Sequence, residues 1–349
     1  MEKLCISENL EEFIPNNSKV LIFNRLTKKT YSIGQNEYKV LKNLDGTKTL
    51  EDVCLLNKTF SIHSIECLVN KFLKMGFIKN NEKKANFNIL KIKKGIVNPD
   101  SNLNPNNIFL KIIYKFIVYL SIPIFIFGLL VGLKNFDTIC NVIKKPIYDP
   151  NIFIIIPTML VIVSLHELGH AIVAKFNGAF ISEVGIMLYW FIPCAYTSIV
   201  GISYVKNKYK RALIFVAGIF VNLNLAGLGL IFTKFSTIRF YEYFLWFSLI
   251  NISISISNLL IFLKFDGYYI LEELLCINRL REKSFAYLKF IIKRKMKIGR
   301  ITISYESYIT NENLLNKIIY IVYGILSIVY IPFMLFLYIN QIVSRPVHL

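Results

Sequence analysis

The chain has 349 residues, 54% of them hydrophobic, and a mean hydropathy of +0.50, which is more apolar surface than a soluble protein of this size carries. Its net charge of +19 comes with no nucleic-acid recognition motif, so the basic residues read as loops that meet anionic lipid and not as a nucleic-acid surface. The cysteines, Cys5, Cys54, Cys67, Cys140, Cys194 and Cys276, form no CxxC pair, which argues against both a zinc knuckle and a disulfide framework.

Residues 1–13 are acidic and lack the apolar core of a signal peptide. Residues 1–80 read as a small soluble domain. Lys19–Asn24 and Thr30–Ile33 are expected strands around a turn at Leu26–Lys29. Asn36–Leu44 is an apolar-periodic helix stopped at Asp45-Gly46, and Leu50–Asn57 is a second helix. A third runs from the N-cap Ser61 to Met75, with Gly76 at its end and a short returning strand at Phe77-Ile78. Strands with three helices in this length suggest a winged-helix module. Residues 81–111, rich in Asn and Lys with Pro99 and Pro105, read as a linker partly lying on the membrane surface.

Five apolar runs are long enough to span: Ile112–Leu133, Ile152–Ala174, Ala212–Phe232, Tyr243–Leu263 and Leu315–Ile339. Each has the roughly twenty residues that a helix needs to cross about 30 Å of hydrocarbon. A sixth uncharged run, Val184–Val205, is interrupted by Gly185, Pro193 and Gly201 and is rich in aromatic and β-branched residues. It reads as a re-entrant loop or membrane-embedded hairpin. Counted as a full span, it would carry the basic group Lys206, Lys208, Lys210 and Arg211 outside, against the positive-inside rule. The fold class is therefore mainly α and polytopic, with about five transmembrane helices and a small N-terminal α+β domain. Residues 112–275 form the membrane core. Residues 276–349 form a basic cytoplasmic loop and a last transmembrane helix.

The chemistry sits in Ser164-Leu165-His166-Glu167-Leu168-Gly169-His170-Ala171, an HExxH pattern inside the second span. Residues four apart share one helix face, so both imidazoles can ligate one tetrahedral zinc while Glu167 stands beside it as general base. Ionisable groups in hydrocarbon are costly unless paired or ligated, and a metal supplies that compensation. A hydrolytic zinc site needs a third protein ligand and an open position. Asp266, just past the fourth span, is the best candidate, and five spans bring it to the same membrane face as His166 and His170. The competing reading of Asp266 is an interfacial carboxylate before Gly267; Glu272 and Glu273 are weaker candidates. Asn222 and Asn258, each in an apolar span, are candidates to hold substrate backbone. Interhelical hydrogen bonding is the competing reading.

HELGHA within a span, followed by Asn258-Leu259-Leu260-Ile261 and then Asp266-Gly267, resembles the site-2 protease family of intramembrane metalloproteases across roughly Ile152 to Glu273. Ile261 stands where that family has proline. The resemblance implies zinc ligands at His166, His170 and Asp266, with Glu167 as base. Leu263–Leu271, with Pro193, Tyr196, Arg211, Ala217-Gly218 and Asn222, looks like a narrower branch, the peptide zinc metalloproteases of bacterial peptide-maturation clusters. Thr197 stands where an acidic residue often follows the tyrosine in that branch. Asn36-Glu37-Tyr38, Leu44-Asp45-Gly46-Thr47 and Met75-Gly76-Phe77-Ile78 look like the PqqD-like element that binds leader peptides of ribosomally made, modified peptides. By that analogy a leader adds a strand beside Thr30, Tyr31, Ser32 and Ile33.

Together these readings lead to an intramembrane zinc metallopeptidase in a bacterial cell membrane, with its N-terminal domain in the cytoplasm. A precursor or leader peptide would be its substrate, and a peptide-modifying enzyme or exporter from the same cluster a possible partner. Release of a membrane-anchored regulator is a second reading. A non-catalytic binding, export or immunity protein is a third, although an intact Glu167 argues against it.

Overall fold

The computed structural model describes residues 4–16, 19–27, 29–57, 60–79, 91–97, 99–100, 102–134, 136, 139–140, 152–189, 192–236, 238–296 and 312–343. It divides into two compact units, Met1–Ile254 and Ser255–Leu349.

The first unit opens with an antiparallel sheet ordered β1 (Leu10–Asn16), β2 (Lys19–Asn24), β3 (Lys29–Gly34). Three helices follow, α1 (Gln35–Lys42), α2 (Leu50–Leu56) and α3 (Ile62–Met75). The two expected strands and three expected helices are present within a few residues. Ser61 caps α3 by accepting from the Ser64 amide at 3.2 Å, and Gly76 ends it in the left-handed region at φ 73°. Ile78 returns as a single bridge to Ile6. The central strand β2 reads as an unbroken apolar run because both of its faces are covered. Val20 and Ile22 pack with Ile33 on Val40, Leu41, Val53, Ile65 and Phe72 of the helices. Leu21 and Phe23, on the other face, join Phe13 in packing against Phe180, Val200 and Tyr204.

Within the stretch read as a linker, Lys91–Val97 is a strand, β4, in a second antiparallel sheet ordered β4, β5 (Phe180–Tyr189), β6 (Ile192–Val200). The run read as a re-entrant loop or hairpin is thus a β-hairpin with a third strand on one side. Its Gly201 end meets Leu21, and Tyr204 and Ser32 share a hydrogen bond of 2.8 Å between hydroxyls.

The helices of this unit are α4 (Ile108–Leu133, with a π-helical turn at Phe116–Leu120), α5 (Ile152–Phe176), α6 (Lys208–Thr233) and α7 (Ile238–Asn258), the last continuing into the second unit. Helices α4 and α6 are tied in their apolar interior by Asn224 Nδ2 donating to Ser121 Oγ at 2.5 Å, an interhelical polar contact.

In the second unit, the residues after Asn258 leave the helix and turn through Leu259–Phe265 before α8 (Asp266–Leu275). Tyr323 Oη donates to the Ile261 carbonyl at 2.9 Å and holds that turn. Helices α9 (Leu280–Met296) and α10 (Leu314–Val343) complete the unit. Tyr268, Ile277, Leu280, Tyr320 and Tyr323 form its core.

Four helices among the described residues are long and apolar enough to cross a membrane: Ile108–Leu133, Ile156–Phe176, Lys208–Thr233 and Leu314–Leu337. They coincide with four of the five expected spans. The fifth, Tyr243–Leu263, corresponds to α7, which starts at Ile238 and stops at Asn258. Ser248, Asn251, Ser253, Ser255, Ser257 and Asn258 lower its apolar content, and it falls outside that set.

Candidate metal and catalytic centre

The HExxH residues lie on α5, so His166 and His170 project one turn apart from the same face. Both are buried, at 6% and 5% exposure, and Glu167 is half-buried. Their Nε2 atoms stand 3.2 Å apart. Zn–N bonds of about 2.0–2.1 Å in tetrahedral geometry would separate two ligand nitrogens by about 3.3–3.4 Å, so the pair is spaced for one ion.

The protonation pattern agrees for His170. Its Nδ1 lies 2.7 Å from the Ile214 carbonyl. A carbonyl only accepts, so Nδ1 carries a proton, and in the neutral form of the ring this leaves the lone pair at Nε2. His166 Nδ1 faces Asn222 of α6 at 3.0 Å, and Asn222 is fully buried. Asn222, read as a substrate holder or an interhelical hydrogen-bonding residue, therefore reaches the first histidine of the motif.

Close approach of α6 to α5 depends on glycine. A Cβ on Gly218 would lie 2.5 Å from His166 Cε1 and Nε2 and from His170 Nε2, and one on Gly169 would lie 2.6 Å from Val221 Cγ2. The Ala217-Gly218 pair thus leaves a hollow over the imidazoles that any larger residue would fill. These donors and this hollow fit a divalent cation.

The hairpin borders the motif. Thr197 Oγ1 donates to the Glu167 carbonyl at 3.0 Å. Further along, Tyr196 Oη donates to Glu183 Oε1 at 2.7 Å, with both residues buried. Glu183 was missed in the sequence reading; its only signal there was a lone acid just before the uncharged run.

Asp266 is the first residue of α8, half-buried, in a helical turn whose dipole favours a carboxylate. Asn258 is the last residue of α7 and half-buried. Glu272 accepts from the Leu280 amide at 2.7 Å and from Tyr268 Oη, a structural role closing the α8–α9 turn. On β3, Thr30 and Ser32 are exposed. Tyr31 packs edge-on to Phe77 with ring centroids 5.2 Å apart, and Ile33 is buried in the domain core. Strand β3 pairs with β2 on one side, and among the described residues no strand covers its other edge.

Residues 153–238 match the family model described as Peptidase family M50. This stretch contains the HExxH helix, the hairpin and α6, and the match supports a place in the site-2 protease family. No curated protein and no solved structure matches the chain.

Proposed function

We propose that the chain is an intramembrane zinc endopeptidase that binds and cleaves a ribosomally made precursor peptide during maturation or export. The observation that carries this reading is the pair of buried imidazole Nε2 atoms, 3.2 Å apart on a helix apolar enough to cross a membrane. In this reading His166, His170 and Asp266 are the metal ligands, a donor set suited to hydrolytic zinc.

A zinc ion held there supplies a water of lowered pKa and polarises the scissile carbonyl. Glu167, next to the first ligand, takes the proton of the attacking water and returns it to the leaving amine. Gly218 leaves room above the imidazoles for the amide to approach. Asn258 is proposed to hold substrate backbone. The edge of β3 that no described strand covers, at Thr30–Ile33, is proposed to take up a leader segment as an added strand. The basic residues Lys206, Lys208, Lys210 and Arg211 at the start of α6 favour a cytoplasmic N-terminal domain in a bacterial cell membrane.

A protease that releases a membrane-anchored regulator is equally compatible with the family match. The test is the full-length protein in nanodiscs, assayed for zinc and for cleavage of small leader-bearing precursor peptides. Glu167→Gln should keep zinc and abolish cleavage. Unchanged cleavage in that variant rejects the peptidase reading. A wild-type enzyme that ignores the small peptide but cuts a single-span regulator selects the alternative.

A further inference from the structure

The geometry points to Asn222 as a positioning residue that fixes the tautomer of His166; this inference rests on the zinc reading above. Asn222 has no exposed surface, and its amide Nδ2 lies 3.0 Å from His166 Nδ1. Its Oδ1 is also buried and has no hydrogen-bond partner among the described residues. The two ends of a side-chain amide have the same shape, so the pocket that holds one orientation holds the other, and the hydrogen-bond chemistry decides between them.

The two orientations have opposite consequences. With nitrogen towards the ring, the amide donates, Nδ1 must be a lone pair, and the proton of neutral His166 sits on Nε2. That proton would point at His170 Nε2, 3.2 Å away, and would block Nε2 as a ligand. With oxygen towards the ring, the amide accepts from Nδ1–H and leaves a lone pair on Nε2. His170 already has the second arrangement, because the Ile214 carbonyl at its Nδ1 can only accept. Only the oxygen-facing amide gives both imidazoles the same tautomer, with two Nε2 lone pairs converging on one point. A buried acceptor behind a metal-binding imidazole fixes the ring and raises its basicity.

The two histidines are thus held from behind by one helix, through a main-chain carbonyl at Ile214 and a side-chain carbonyl at Asn222. The two positions are eight residues apart on α6, and Gly218 lies midway between them, against the Nε2 edges. One helix therefore sets both tautomers and leaves the space in front of them open.

The test compares wild type, Asn222→Asp and Asn222→Leu as full-length proteins in detergent. Zinc affinity is read by competition with a chromophoric chelator, and folding by thermal melting. Asp keeps an acceptor at Nδ1 and should hold zinc within about threefold of wild type. Leu keeps the shape without the acceptor and should lose about 10- to 100-fold in affinity. Equal affinity in the Leu variant, or an Asp variant as weak as Leu, overturns the inference alone. If Leu fails to fold, nitrogen-15 histidine spectra of the zinc-loaded wild type decide. A proton on His166 Nδ1 is the expected result, and one on Nε2 overturns it. A wild-type chain without stoichiometric zinc overturns the underlying reading, and this inference with it.

Discussion

The Thr197 hydroxyl donates a hydrogen bond to the backbone carbonyl of Glu167, 3.0 Å away. The hairpin is therefore fastened to the motif helix at the residue proposed as the base. The same strand carries Cys194 and Tyr196, whose hydroxyl bonds to Glu183 on β5. A hydrogen bond of this kind contributes about 0.5–1.5 kcal/mol net. Thr197→Val, which keeps the shape and removes the donor, should lower peptide cleavage about 2- to 10-fold and leave bound zinc unchanged. Zinc loss in step with activity would mean that Thr197 acts on the metal site itself and not on the hairpin.

Gly218 offers a second handle on the centre. Its missing Cβ would fall 2.5 Å from three atoms of the two imidazoles, closer than any carbon can rest. In Gly218→Ala either α6 backs away, taking the Asn222 and Ile214 contacts with it, or the rings rotate. Overpacking of this kind costs about 1–3 kcal/mol. The variant should melt at lower temperature and bind less than one zinc per chain. A variant with full zinc and wild-type cleavage would show that the helices yield without cost.

Sequence alone reached what is local. HExxH fixes the face of its own helix, and Ser61 and Gly76 mark the ends of α3 through their own backbone preferences. It did not reach what pairing creates. Lys91–Val97 reads as a basic linker because its strand character comes from lying beside Phe180–Tyr189. Leu10–Asn16, with Glu11 and Glu12 in it, became a strand by pairing with Lys19–Asn24. The end of α7 at Asn258 was masked by the apolar residues Leu259–Leu263, which continue the hydropathy but leave the helix without the proline that the family pattern carries. Asn222 was legible as a buried polar residue in a span, but its partner, 56 residues away, was not.

Asp45 gives a pH-dependent readout outside the membrane. Its carboxylate accepts from Lys48 Nζ, from Thr47 Oγ1 at 2.5 Å and from the Thr47 amide at 2.9 Å. The Lys48 contact first, then the two Thr47 contacts, hold it below the ordinary value of 3.8. A depressed folded-state pKa stabilises the fold above the unfolded value, and that contribution is lost as pH falls below about 4 towards the folded value. Because the Asp45 side chain is exposed, solvent screening keeps the effect small. Carbon-13 titration of the full-length protein should find Asp45 below the other aspartates, and Lys48→Ala should bring it back towards them. An Asp45 that titrates with the rest in wild type would remove the basis for this turn.

Asp266 and Glu272 occupy the same short helix, and their different partners allow the proposed third ligand to be tested against a neighbour of equal charge. Glu272 is engaged by Tyr268 Oη and the Leu280 amide, contacts that close the turn into α9. Removing it leaves a donor amide and a phenol to be satisfied elsewhere, at a cost of about 1–3 kcal/mol. Glu272→Ala should therefore lower the melting temperature while keeping one zinc per chain. Asp266→Ala should instead lose zinc, with cleavage falling to background. Zinc retained at one per chain in Asp266→Ala would remove Asp266 from the ligand set and require another oxygen or nitrogen donor for the hydrolytic centre.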